Sequence, residues 1–63
     1  MEQWWYFTFG CGQNPGLGYY AKFYGTADSA RDQMVKEYGP KWSFQYKSEE
    51  AAGVKKYNLK CVN

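Results

Sequence analysis

Few side chains in this 63-residue chain have the chemistry for catalysis. There are two thiols, Cys11 and Cys61, a single arginine, Arg31, a carboxylate pair four residues apart, Asp28 and Asp32, and no histidine. A cysteine nucleophile needs a base or a cation to hold its thiolate, and Cys11, set between Gly10 and Gly12, has no imidazole to serve. Asp28 and Asp32 share a helical face, but two carboxylates without further oxygen donors make a solvated surface rather than a cation site. The run GCGQNPGLG has the glycines of a phosphate-cradling loop, yet it lies between two strand-like segments and lacks the Lys-Ser/Thr ending that reaches phosphate and magnesium. It reads as a hairpin tip that needs positive φ, with Gln13 offering two donors and two lone pairs at that tip. The expectation is a non-enzyme with no catalytic residue, no metal and no cofactor.

What remains is recognition, and the residues suited to it are aromatic. Fourteen of the 63 residues are Trp, Tyr or Phe, and 12 of them fall in three runs, Trp4 to Phe9, Tyr19 to Tyr24 and Trp42 to Tyr46. A domain this short buries only about 60% of the surface its unfolded chain exposes, so large rings are one way to supplement a small core. One core-facing side of a small sheet absorbs about eight rings of roughly 150–250 Å² each, which leaves a surplus to explain.

The elements that position these rings follow from local pattern. Gln3 to Phe9 is dominated by aromatic residues and reads as a strand, with Trp5, Phe7 and Phe9 on one face and Trp4, Tyr6 and Thr8 on the other. After the glycine loop, Leu17 to Tyr24 alternates in the same way, Tyr19, Ala21 and Phe23 against Tyr20, Lys22 and Tyr24, so the two segments form a hairpin with a long tip. Thr26 caps a helix with Asp28 in its first turn, Ala27, Ala30, Met34 and Tyr38 form a narrow apolar stripe, and Gly39-Pro40 ends it. Lys41 to Tyr46 alternates Trp42, Phe44 and Tyr46 against Ser43 and Gln45. Ser48-Glu49-Glu50 starts a second helix that Gly53 limits to about two turns. Asn58 to Val62 adds a short edge strand with Leu59 and Cys61 inward.

These elements make a single α+β domain over residues 1–63, a small ββαβ(α)β sandwich with one main helix on a three- or four-stranded, mainly antiparallel sheet. The simplest strand order is 2-1-3-4. Trp5, Phe7, Phe9, Tyr19, Phe23, Trp42, Phe44 and Tyr46 then lie beneath the helix, and its alanines let it approach them closely. The opposite face carries Trp4, Tyr6, Thr8, Tyr20, Lys22, Tyr24, Ser43 and Gln45, and is the candidate binding surface. The bland alternatives are that the second helix and the C-terminal segment cover it, or that two copies stack on it.

The formal charge of +2 arises from seven lysines and one arginine against six acids spread along the chain. A nucleic-acid domain clusters its basic residues, and the nearest approach to a cluster, Lys55-Lys56 with Lys60, is opposed by Glu49 and Glu50. Arg31 reads first as a side chain lying along Trp42 or Tyr38 and second as a binding residue. No apolar run is long enough to span a membrane, and the N-terminus lacks the pattern of a secretory signal, so the expected compartment is the cytoplasm, with Cys11 and Cys61 reduced.

Several short motifs occur in order: TFGCGQ after an aromatic strand, GYY opening the next, SARDQM on the helix and YGPKWSFQY leading into the third strand. In this the chain resembles a widespread group of small proteins encoded by bacteriophages and prophages. The resemblance covers roughly residues 4 to 59 and falls on Phe9, Gly10, Gly12, Gln13, Tyr19, Ala30, Arg31, Met34, Gly39, Trp42, Phe44, Gln45 and Tyr46. It departs after Ser48, where AAGVKK is shorter and more basic than the group's pattern. Most of that group has no assigned activity, so the resemblance implies an origin more than a mechanism.

The leading expectation is a phage-type accessory protein that binds and inhibits a bacterial host protein, a component of a defence system for example, in the manner of an anti-CRISPR. Trp4, Tyr6, Tyr20 and Tyr24 would anchor it, with Gln13, Lys22, Arg31 and Gln45 as polar contacts. The first alternative is a single-stranded nucleic-acid or nucleotide binder whose rings stack bases while Lys22 and Arg31 meet phosphate. The second is a structural homodimer.

Overall fold

The computed structural model describes residues 2–13 and 15–63. Strands β1 (Gln3–Thr8) and β2 (Tyr19–Gly25) form the expected hairpin, pairing Trp4 with Tyr24, Tyr6 with Lys22 and Phe7 with Ala21. Helix α1 (Ala27–Tyr38) follows, then β3 (Gln45–Tyr46), the single-turn helix α2 (Glu49–Ala52) and β4 (Lys60–Cys61). The fold is a small α+β domain with four strands and α1 packed on one side of them.

Each helix starts where a side chain can take an orphan backbone donor. Thr26 and Ser29 form a reciprocal box, Ser29 N–H donating to Thr26 Oγ1 at 3.1 Å and Thr26 N–H to Ser29 Oγ at 2.9 Å. Ser48 caps α2 by accepting from Ala51 N–H at 3.0 Å, and Gly53, at φ 78°, closes that helix in the left-handed region.

The core lies between α1 and the sheet. Phe7, Phe9, Ala21, Ala30 and Met34 are buried, ringed by Trp5, Phe23, Tyr38, Trp42 and Val62. Edge-to-face contacts knit it together, Phe7 with Trp42 at 5.1 Å and Phe9 with Tyr38 at 5.8 Å between ring centroids. The buried alanines of β2 and α1 bring helix and sheet close, and Ala27 lies exposed rather than on the buried stripe.

Two expectations are corrected. The strand order is β3-β1-β2-β4 rather than 2-1-3-4, because β4 pairs in parallel with β2 instead of following β3. Strand β3 is only two residues long, and α2 carries the chain away from it to the free edge of β2, where Lys60 N–H meets Gly18 C=O. Leu59 is half-buried, Cys61 is exposed beside Tyr20, and Val62 is the residue that reaches the core.

The second correction concerns the phase of the third strand. Ser43 N–H donates to Thr8 C=O at 2.8 Å while Thr8 N–H donates to Phe44 C=O at 3.0 Å, so two residues oppose one, the arrangement of a β-bulge. The extra residue reverses the alternation beyond it. Trp42 packs under α1 as expected, but Tyr46 pairs with Tyr6 and lies on the opposite face, with Phe44 beside it at 6.2 Å. Phe44 is therefore 65% exposed instead of buried. Gln45 turns to the helix side, where its amide holds Ala27 C=O at 2.9 Å.

Candidate partner-binding site

The face away from α1 carries the even-numbered residues of both long strands, with Trp4, Tyr6 and Thr8 of β1 opposite Tyr24, Lys22 and Tyr20 of β2. Its two ends have different surroundings. Toward Thr8 and Tyr20 the sheet is four strands wide, and α2 packs on β1 and β3 with its own Ala52 buried. Toward Trp4 and Tyr24 only β1 and β2 remain, because β3 ends opposite Tyr6 and β4 opposite Tyr20.

The rings divide accordingly. Tyr20 is 9% exposed and Tyr6 half-buried, their rings 6.1 Å apart. Burial raises both phenol pKa values above the ordinary 10.0; the Glu49 carboxylate is the next cause for Tyr6, and the neighbouring Cys61 thiol for Tyr20. These two tyrosines thus lie within the field of α2 and β4. Trp4 and Tyr24 are 46% and 52% exposed and meet edge to face at 5.6 Å. The Lys22 ammonium lies 4.9 Å from the centre of the Trp4 ring, a cation–π contact that orders the flexible lysine on a rigid surface. An open groove of ≈ 350 Å³ leads from Trp4 past Tyr6 to Glu49 and Glu50.

The remaining polar candidates are spent within the fold. Gln13 folds back into its loop, its side-chain oxygen accepting from Gly10 N–H and from Ser43 Oγ at 3.3 Å, so it locks the hairpin tip to the bulge. Gln45 tethers the first turn of α1 on the opposite side of the sheet. Arg31 is exposed on α1; the cations found over rings among the described residues are Lys22 and Lys56, so Arg31 does not lie along Trp42 or Tyr38. Because α1 and Lys22 occupy opposite sides of the sheet, Arg31 and Lys22 do not converge on one phosphate. Of the eight residues singled out from the sequence, the structure brings Trp4, Lys22 and Tyr24 together in the open, places Tyr6 and Tyr20 beneath cover, and sends Gln13, Arg31 and Gln45 elsewhere.

One surface was missed. Leu17, Tyr19, Tyr46, Tyr57 and Leu59 line an apolar groove of ≈ 360 Å³ where the hairpin tip meets the turn after α2, and Leu17 and Tyr57 are largely exposed beside it. Tyr57 stands outside the alternating runs, and Leu17 opens the second run but precedes the observed strand, which begins at Tyr19, so periodicity did not mark either as a surface residue. Tyr46 was hidden by the bulge.

Among the described residues no group of three His, Cys, Asp or Glu side chains is placed to hold a metal, and no helix is long and apolar enough to cross a membrane. Both cysteines are free and exposed. Comparison with family models, with characterised proteins and with solved structures gives no match for this chain.

Proposed function

We propose that this chain is a non-enzymatic binding module whose partner is a protein, and that the open end of the sheet, Trp4 with Lys22 and Tyr24, is its contact surface. The observation that carries the reading is the paired exposure of Trp4 and Tyr24 on two rigid strands with an ammonium already stacked on the indole. Rings held by backbone pairing lose little conformational entropy on binding, and Trp and Tyr are the residues on which interface energy concentrates. Lys22 gives this apolar surface a positive point and favours a partner with an acidic group beside its own apolar contact. The motif resemblance adds an origin to this reading, a phage-type accessory protein that inhibits a host protein in the bacterial cytoplasm, where both exposed thiols stay reduced.

The test is retention of a partner from bacterial lysate by the tagged chain and by a Trp4→Ala, Tyr24→Ala variant. The expected result is loss of the partner with the fold intact by circular dichroism; undiminished retention would remove this surface from consideration. A salt series on the same complex separates the alternatives, because a phosphate backbone contact weakens steeply with ionic strength and an aromatic protein contact does not.

A further inference from the structure

The outer edge of β2 holds an arrangement that the aromatic patch does not use. The ladder to β4 ends where Val62 N–H donates to Tyr20 C=O at 2.9 Å. At Lys22, two residues on, the Asn63 side chain takes both backbone groups. Lys22 N–H donates to Asn63 Oδ1 at 3.0 Å, and Asn63 Nδ2 donates to Lys22 C=O at 2.7 Å. A carboxamide offers the same donor and acceptor as a peptide group, so this position is filled by a side-chain stand-in for a strand. At Tyr24 the carbonyl accepts from Gln33 Nε2 at 3.1 Å, while the N–H, by the two-residue period, points out of the same edge. An edge closed by side chains rather than by a strand is one that another chain can pair with.

We propose that the β2 edge from Lys22 to Tyr24 docks one extended segment of a protein partner, which displaces the Asn63 side chain and continues the ladder that β4 begins. This rests on the reading that the partner is a protein. Backbone pairing supplies the affinity, and alternate side chains of the added segment fall on the Trp4–Tyr24 side, where an acidic residue meets Lys22. The occupant is a partner's segment rather than a second copy, because twofold pairing of two β2 edges sets both Lys22 side chains on neighbouring strands of one face.

The test uses the full chain and a display library of random short linear peptides. The tightest selected peptide is titrated into the wild type and into Asn63→Ala, Tyr24→Ala and Tyr24→Pro, each first shown to be folded by its amide NMR spectrum; proline is tolerated at an edge position whose N–H faces solvent. Asn63→Ala is expected to bind about tenfold more tightly, since the peptide no longer competes with the stand-in amide. Tyr24→Pro is expected to bind more weakly than Tyr24→Ala, since only proline also removes the backbone donor. Absence of any selected peptide overturns the proposal. So does equal affinity across Asn63→Ala and wild type together with equal loss in the two Tyr24 variants, which leaves a side-chain patch that still serves a protein partner. Association of Asn63→Ala with itself during sedimentation, without peptide binding, assigns the edge to a second copy and also overturns it. Tightening by Asn63→Ala that survives removal of Trp4 and Tyr24 supports the edge while overturning the patch.

Discussion

Tyr20 and Tyr24 lie on the same strand and the same face, four residues apart, and have opposite fates. Tyr20 is enclosed by β4 and lies against Tyr6, beside which the helix that follows β3 packs on β1, whereas Tyr24 stands half in solvent beside Trp4. Their side chains are identical and their strand positions equivalent, so the difference comes from what flanks the hairpin. The two outer strands are two residues each and both sit toward the Thr8 end, which makes one half of a uniform aromatic face structural and leaves the other half available. An aromatic surplus therefore cannot be apportioned from a strand alone.

The largest test of this division is truncation of each ring in turn. Tyr20→Ala should cost about 3 kcal/mol in denaturant unfolding, because it empties a covered position, while Tyr24→Ala should stay within about 1 kcal/mol. Comparable losses at the two sites would show that the halves are not distinct. A smaller effect tests the cover itself. A Cβ at Gly53 would have to sit at φ 78° and within 2.5 Å of the Tyr57 ring, so Gly53→Ala should destabilise by about 2 kcal/mol and loosen the end of α2. Hydrogen exchange should then report faster opening around Tyr6 and Tyr20 than around Trp5 and Phe23. Removing the other cap, with Ser48→Ala, should cost about 1 kcal/mol and act on the same half; a wild-type unfolding midpoint would mean that α2 contributes no cover.

The smallest effect is a pH dependence. The phenols of Tyr6, Tyr20 and Tyr38 are all raised above 10.0, chiefly by burial, so the folded chain keeps protons that the unfolded chain releases. Their contribution to stability is complete below about pH 10 and is lost as pH rises through the folded values. Denaturant midpoints measured from about pH 9 upward should fall, and Tyr20→Phe should flatten the decline; a flat wild-type profile would contradict burial of these hydroxyls.

Much of the fold was legible because its signals are local. Two-residue alternation over Gln3 to Phe9 and Leu17 to Tyr24 sorted Phe7 and Ala21 from Tyr6 and Lys22, and the pairing register keeps that sorting. Thr26, Gly39, Ser48 and Gly53 marked both helices by requirements met within one turn of chain. The same method failed at Phe44, Gln45 and Tyr46. A bulge there is set by how Ser43 and Phe44 meet Thr8, a residue far away in sequence, and one inserted residue reverses every side chain after it. Gln13 shows the same limit: its polarity suggested a free recognition group, and only its contact with Gly10 and Ser43 shows where that polarity is used.

By itself the sequence determined an α+β chain with one capped helix on an aromatic hairpin, a helix-side core centred on Phe7, Ala30 and Met34, and more rings than that core could take. These are properties of periodicity, capping and side-chain size, which neighbouring residues express without reference to the rest of the chain. The tertiary structure decided that β4 joins β2 beside Tyr20, that α2 packs on β1 and β3 near Tyr6, and that Trp4, Lys22 and Tyr24 stay open. Those outcomes depend on which edge and which face remain free once the hairpin and α1 have packed, a competition between distant segments that no local window contains.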